Sequence, residues 1–494
     1  MSDAKSPMST GIPPLDHILG GGLPRDRIYL LQGDPGSGKT TMAVQFLLEG
    51  VRRKERVLYV TLSETKEELL DVAASHGWTL DGIDVFELSN LEDSVNPDVQ
   101  YTLFHPAEVE LGETTRRLLD AIERVKPTRL VFDSLSELRL LSGDPLRYRR
   151  QILAFKQFFV GKKCTALFLD DGTSKDGDLQ LQSLAHGVFV TEQLAPEYGA
   201  ERRRLRVVKL RGVKYRGGFH DFIIEKGGIA LYPRLVAAEH RELSASERVT
   251  SGLPALDALC GGGLDRGSST LVLGPAGTGK STICSQFVIS ALERGERCVI
   301  FTFDEGQATL LARASGMGIA LQKHVDAGTL RIKQVDPAEL SPGQFTNLVQ
   351  EEVTRGARMV IIDSINGYLN AMPEERFLLI QMHELLSFLN QAGIVSMMTM
   401  AQHGLVGDRM ASPVDLSYLA DTALLLRYFE NEGTVHKAIS VIKKRRGNHE
   451  AAIRELRMTA KGILVGEPLV GFRGVLTGVP VLTGDRRPLD GDGV

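Results

Sequence analysis

The sequence predicts an α/β fold present twice in tandem, each copy a mainly parallel sheet flanked by helices, and three observations carry that expectation. A glycine-rich loop occurs twice, GDPGSGKT over Gly33–Thr40 and GPAGTGKS over Gly274–Ser281. The run-ups TGIPPLDHILGGGLPR from Thr10 and SGLPALDALCGGGLDR from Ser251 repeat at one spacing, with Pro13 and Pro254, Gly20 and Gly261, and Lys39 and Lys280 each 241 residues apart. Near-continuous apolar runs ending in aspartate, RLVFDS over Arg129–Ser134 and MVIIDS over Met359–Ser364, have the composition of parallel strands buried on both faces.

The elements follow in order. Ile28–Gln32 and Thr270–Leu273 read as strands running into the loops, and helices begin at Lys39-Thr40 and Lys280-Ser281. Met42, Phe46 and Leu47, like Ile283, Phe287 and Val288, fall at helical spacing after them. Second strands start at Arg56 (RVLYVTL) and Arg297 (RCVIFTF), and both lead into acids. Strand, helix, strand, helix, strand argues a doubly wound core. Each copy closes in β-rich sequence, Leu205–Gly212 and Lys437–Gly447, followed by a hairpin-like stretch. The expected domains are 8–238 and 239–475, with the charged segment Ala237–Arg248 as linker and 476–494, rich in Gly, Pro and Asp, as a flexible tail.

Composition bounds the function class. A chain of 494 residues with 43% hydrophobic content fills two substantial cores. Its 58 basic and 62 acidic residues leave a net charge of -4, which argues against a polyelectrolyte role on nucleic acid or membrane. Cys164, Cys260, Cys284 and Cys298 have no metal-ligand spacing and are expected to be reduced core residues. The N-terminus MSDAKSPMST lacks an apolar leader and no apolar run reaches spanning length, so the expected location is cytoplasmic.

The loops specify the chemistry. Gly36, Ser37, Gly38, Lys39, Thr40 and Thr41, with Gly277, Thr278, Gly279, Lys280, Ser281 and Thr282, are candidate nucleotide-binding residues: backbone N–H groups enclose phosphate oxygens and lysine adds a point charge. Thr40 and Ser281 hydroxyls, with the strand-end carboxylates Asp133 and Asp363, are candidate Mg²⁺ ligands. Hydrolysis needs a base or water-orienting carboxylate beside the γ-phosphate, and the second strand ends in Ser63-Glu64 in one copy and Asp304-Glu305 in the other. The first copy thus has one carboxylate fewer there. Lys209 and Arg211, and Lys443 and Arg445, recur on late strands. They read either as cations reaching a neighbouring subunit's γ-phosphate, or as a basic nucleic-acid patch or solvated strand edge.

These loops, the GGGL run-ups, the FDS and IDS strand ends, IREL at Ile453–Leu456 and LADTALLLRYFE at Leu419–Glu430 together resemble the KaiC family, circadian-clock ATPases and autokinases of the RecA-like superfamily. The resemblance covers roughly residues 8 to 475. It implies two tandem RecA-like P-loop NTPase domains, a two-tiered homohexamer clamping ATP with Mg²⁺ at subunit interfaces, ATPase activity in the first tier, and Ser/Thr autokinase and autophosphatase activity in the second. The family's phosphorylated pair falls on Ser417 and Tyr418. Ser417 keeps an acceptor hydroxyl, with Asp304 or Glu305 as base, whereas Tyr418 replaces the expected Thr; Ser412 is a weaker match to a further Thr. Ser63 stands where the family has Glu, and Asp304 replaces another Glu. The implied role is a circadian-type or stress-signalling phospho-switch, with a KaiB-like or histidine-kinase partner as candidates besides self. Two other classes stand beside it, a nucleotide-gated signalling scaffold with little turnover and a RecA-like DNA-acting ATPase.

Overall fold

A computed structural model describes residues 6–87, 106–172, 178–195, 199–239, 247–336, 338–370, 378–402, 418–476 and 481–482. The chain divides into two compact units, Met1–Arg234 and Leu235–Val494.

In the first unit α1 (Pro13–Ile18) precedes β1 (Ile28–Gly33), α2 (Lys39–Arg52), β2 (Val57–Thr61), α3 (Lys66–Ser75), β3 (Asp84–Glu87), α4 (Pro106–Val125) and β4 (Arg129–Asp133). There follow α5 (Leu135–Ser142), α6 (Pro145–Phe159), β5 (Thr165–Asp170), α7 (Asp178–Leu184), β6 (Gly187–Leu194), β7 (Arg202–Leu210), β8 (Phe219–Glu225) and β9 (Gly228–Tyr232). One sheet runs β3-β2-β4-β5-β1-β6-β7-β8-β9. It is parallel from β3 to β6 and antiparallel from there to β9.

Every residue of β1, β2, β4 and β5 is buried, as the unbroken apolar runs require. Alternation sends Tyr29, Leu31, Tyr59 and Val131 to one face, against Met42 and Phe46 of α2. Leu30, Val60, Phe132 and Phe168 go to the other, against Leu118, Ile122 and Phe155. Arg129, wholly buried at the start of β4, is held by Glu55 Oε2 at 2.5 Å and by the carbonyls of Ser9 at 2.7 Å and Phe46 at 2.9 Å.

The second unit repeats the plan with β10 (Arg248–Val249), α8 (Pro254–Leu259), β11 (Leu264–Asp265), β12 (Ser269–Gly274), α9 (Lys280–Glu293), β13 (Arg297–Thr302), α10 (Gln307–Gly316), α11 (Gln322–Asp326), β14 (Leu330–Gln334) and α12 (Pro342–Thr354). It continues through β15 (Ala357–Asp363), α13 (Ile365–Asn370), α14 (Leu378–Gln391), β16 (Val395–Ala401), β17 (Thr422–Asn431), β18 (Thr434–Lys444), β19 (Ile453–Thr459), β20 (Gly462–Pro468), β21 (Phe472–Arg473) and β22 (Val481–Leu482). Its sheet runs β14-β13-β15-β16-β12-β17-β18-β19-β20, the same topology.

Two sequence expectations are amended. The expected linker is structured at both ends: Ala237 N–H donates to Glu384 Oε2 at 3.0 Å, and Arg248–Val249 pairs with Leu264–Asp265. The segment expected as a flexible tail contains Val481–Leu482, paired antiparallel with Phe472–Arg473. All four cysteines are buried and unpaired, and burial pushes the thiols of Cys164, Cys260 and Cys298 up to about 12. Among the described residues no helix is long and apolar enough to cross a membrane.

Candidate functional site

Each unit gathers its loop and strand-end candidates at the carboxyl ends of the parallel strands, the edge where such sheets bind ligands. In the first unit the glycine loop leaves β1 and enters α2. Gly36 and Gly38 adopt φ of 79° and 89°. A methyl group on Gly36 would lie 2.7 Å from Gln193 Oε1, and one on Gly33 would lie 2.2 Å from Thr191 Oγ1, so the cradle admits only glycine. Gly38 caps α2 with no side-chain bond, which leaves the first N–H groups of a 14-residue helix directed at an incoming anion.

Lys39 folds back into this cradle. Its Nζ donates to Gly33 O at 2.7 Å and Asp34 O at 3.0 Å and lies 2.8 Å from Asp171 Oδ1. Asp133 ends β4, and its Oδ2 accepts from Tyr59 Oη at 2.6 Å and Thr40 Oγ1 at 3.4 Å. Burial raises the Asp133 pKa, while the Tyr59 bond, the Lys39 charge and the Thr40 bond oppose that rise.

Glu64 sits on the β2–α3 corner. Thr61 Oγ1 donates to Glu64 O at 2.7 Å and accepts from Glu64 N–H at 3.0 Å, and a Thr65/Glu68 capping box starts α3. Burial, then the carboxylates of Asp133, Glu68 and Asp171, push the Glu64 pKa up, with Lys39 opposing. Its Oε2 is buried without a hydrogen-bond partner among the described residues. A buried carboxyl with a raised pKa and an open acceptor suits proton transfer from water.

The second unit reuses the plan with different supports. Gly277 and Gly279 adopt φ of 78° and 102°, and Tyr428 Oη, bonded to Ala276 O at 3.0 Å, would lie 2.7 Å from a methyl on Gly277. Lys280 Nζ donates to Gly274 O at 2.9 Å and Pro275 O at 2.8 Å, and burial lowers its pKa against the pull of Asp363. Asp363 accepts from Thr399 Oγ1, where the first unit uses Tyr59. Asp304 Oδ2 accepts from Ser364 Oγ at 2.6 Å. Glu305 is ion-paired with Arg313 of α10, which also reaches Thr282 Oγ1 at 3.4 Å. The residue at Arg313's place in the first unit is Val72, so Glu64 has no such partner there.

Ser37 and Thr278 turn their hydroxyls inward, to Thr191 Oγ1 at 2.9 Å and Pro275 O at 2.8 Å, so only their backbones face the cradle. Thr41 Oγ1 faces His76 Nε2 at 3.5 Å.

The late-strand cations are not brought to their own loops. Lys209 pairs with Val188 and Leu210 with Gly187, which is opposite Tyr29 near the start of β1, whereas the loop leaves its end at Gly33 opposite Thr191. Lys209 Nζ donates to Gln182 O and Arg211 to Ser183 O at 2.8 Å, at the carboxyl end of α7. Lys443 pairs with Ala423, itself opposite Leu271, and donates to Ala420 O at 2.8 Å. Arg445 donates to Tyr418 O at 2.6 Å and to Asp421 Oδ1 at 3.3 Å. Lys209 and Lys443 are thus level with Leu30 and Leu271, three residues or about 10 Å before Gly33 and Gly274, and Arg211 and Arg445 lie further back. Ser417 and Ser412 lie outside the described residues; Tyr418, next in sequence, is 52% exposed.

Sequence reasoning missed Tyr59, Thr399, Arg313 and Asp171. FLDD, an apolar run ending in an acidic pair, carries the signal that singled out Asp133 and would have found Asp171.

The residues present fit a Mg²⁺-bound nucleoside triphosphate: a glycine cradle, uncapped helix N–H groups, a lysine, and a hydroxyl beside a strand-end carboxylate. Mg²⁺ takes one or two carboxylates plus substrate phosphates, and Asp133 beside the Thr40 hydroxyl offers such a carboxylate.

The family model described as the KaiC ATPase matches residues 8–236 and again 249–470. Circadian clock protein KaiC3 of Synechocystis sp. is 29% identical over 496 residues, covering 98% of this chain and 96% of the relative. Circadian clock oscillator protein KaiC of Thermosynechococcus vestitus is 30% identical over 480 residues, covering 95% and 91%. That of Synechococcus elongatus is 28% identical over 482 residues, covering 96% and 91%.

Proposed function

Because this chain belongs to the KaiC ATPase family, we propose that both units bind Mg-ATP, that the first hydrolyses it, and that the second transfers its γ-phosphoryl to Ser417 of a neighbouring protomer in a homohexamer and later removes it. The observation that supports the reading is the placement of each loop and its cation pair toward opposite ends of the same strands, the arrangement expected where another copy completes the site. Arg445 strengthens it for the second unit, since it binds the carbonyl of Tyr418 and so ties the trans cation to the residue after the acceptor serine.

In the first unit the loop N–H groups and Lys39 hold the phosphates, Thr40 and Asp133 hold Mg²⁺, and Glu64 orients the water. Water oxygen attacks the γ-phosphorus as the bond to the bridging oxygen breaks; the water's proton passes to Glu64 and ADP leaves with the electron pair. Mg²⁺ neutralises charge on the phosphates. In the second unit the Ser417 hydroxyl replaces water. Asp304 is the better-placed base, because Glu305 is engaged by Arg313. Phosphorylation would make the chain a phospho-switch read by a signalling partner such as a KaiB-like protein or a histidine kinase.

Intact-mass and peptide mass spectrometry after incubation with Mg-ATP, beside a Ser417→Ala chain, tests the reading. Phosphate on Ser417 that disappears on ATP depletion is the expected result. No phosphate on any peptide would remove the autokinase assignment.

A further inference from the structure

We propose that Asp171 is the second acidic positioning residue of the first-unit site, supplying from the end of β5 the carboxylate that Asp304 supplies from the end of β13 in the second unit. The assignment rests on the hydrolysis reading above. It answers a deficit: Ser63 occupies the position of Asp304, so the β2 corner of the first unit is one acid short.

The sheet registers show an exchange. Gln32 pairs with Asp170, while Leu273, its counterpart in the second unit, pairs with Met400. Asp171 therefore corresponds to Ala401. Where one unit loses an acid on its second strand it gains one on its fifth, and each site holds three carboxylates, Glu64, Asp133 and Asp171 in the first and Asp304, Glu305 and Asp363 in the second.

In each unit a serine hydroxyl anchors the carboxylate. Asp171 Oδ2 accepts from Ser136 Oγ at 3.0 Å, and Asp304 Oδ2 accepts from Ser364 Oγ at 2.6 Å. Ser136 is the second residue of α5 and Ser364 directly precedes α13, so the two hydroxyls reach their carboxylates from different positions on equivalent helices. The corner itself is common to both units: Asp171 N–H donates to Ser136 Oγ at 3.0 Å, and Ala401 N–H donates to Asn366 Oδ1 at 2.7 Å. Bracing this corner thus needs no carboxylate, since the second unit braces it with Ala401. Besides accepting from Ser136, the Asp171 carboxylate is directed at Lys39, 2.8 Å from its Nζ.

Lys39 has three ammonium protons, and Gly33 O, Asp34 O and Asp171 Oδ1 are its three acceptors. A γ-phosphate oxygen must displace one of them. Asp171 is the one on a side chain and is 31% exposed, so it yields first. Its freed carboxylate then lies beside Lys39 and Glu64, where it accepts from the attacking water and aligns it. Among the described residues Lys280 bonds only the carbonyls of Gly274 and Pro275, so the second unit has no such exchange.

The test uses the full chain in a Lys280→Ala background, which leaves only first-unit turnover, and measures kcat and KM for Mg-ATP together with Mg-ATP affinity. Asp171→Asn should lower kcat roughly tenfold or more with ATP bound at least as tightly, because Lys39 is no longer contested. Asp171→Glu should retain most activity, and adding Ser63→Asp to Asp171→Asn should recover a large part of the loss. If Asp171→Asn stays within about twofold of its parent, loses ATP binding altogether, or is not rescued by Ser63→Asp, the assignment is wrong. A Lys280→Ala parent with no turnover would instead sink the hydrolysis reading, and the role of Asp171 with it.

Discussion

Removing one buried hydroxyl should weaken metal binding in one unit and leave the other untouched. Tyr59 is 2% exposed and donates at 2.6 Å to Asp133 Oδ2, a carboxylate 7% exposed whose pKa burial already raises. The same position in the second unit is Ile300, and Asp363 is served there by Thr399. A hydrogen bond to a charged group contributes about 1.5–3 kcal/mol, and at about 1.4 kcal/mol per tenfold that is roughly 10- to 100-fold in Mg²⁺ affinity, the range typical of groups that orient a metal ligand. Tyr59→Phe should therefore raise the Mg²⁺ concentration at half-maximal first-unit turnover by that factor, measured in the Lys280→Ala background, while phosphorylation of Ser417 in an otherwise native chain keeps its Mg²⁺ dependence. Thr399→Val should do the reverse. A shift below twofold, or equal shifts in both activities, would refute the claim that each aspartate depends on its own donor.

Other expectations concern stability and assembly. His220 is wholly buried, with Nδ1 accepting Arg234 N–H at 2.9 Å and Nε2 facing Arg216 O at 3.1 Å, and burial pushes its pKa down to about 4. Its folded value lies below the unfolded one, so its contribution is complete above about pH 6.5 and drains as pH falls toward 4, by roughly 3 kcal/mol; His220→Gln should flatten that limb of the unfolding profile. Arg129→Ala leaves Glu55 with Arg25 alone and removes the donor to Ser9 O and Phe46 O, and should cost about 3 kcal/mol, read as a lower urea midpoint. Mixing Arg445→Ala with Lys280→Ala chains should restore some Ser417 phosphorylation, since one contributes an intact loop and the other an intact cation; no recovery would count against action between protomers.

Much of the fold was legible because its signals are local. A glycine loop between strand and helix, and apolar runs ending in aspartate, carry their meaning within a few residues, and the strands formed where those runs lie. The donors that tune the acids were not legible, because the sheet order sets β2, β4, β5 and β1 side by side from distant stretches of chain. Tyr59 reads as one more aromatic in a buried strand until Asp133 is seen beside it. Asp171 lies 132 residues beyond Lys39, and only the parallel pairing of β1 with β5 brings them together. Arg313 is one turn too far along α10 for sequence spacing to single it out as the partner of Glu305. The late cations were recognised as a repeated pair, but their separation from their own loops is a property of register.

That separation has a consequence for how such an assembly fails. If copies assemble as proposed, with the loop toward one end of the strands and the cation toward the other, the contact between them joins unlike surfaces and runs head to tail. A copy broken in its loop then damages the site it owns, one broken in its cation damages the site it donates to, and neither damages any other directly. Poisoning by mixed-in mutant chains should accordingly scale with the fraction of broken junctions, giving a graded dominant-negative curve in place of an all-or-none one.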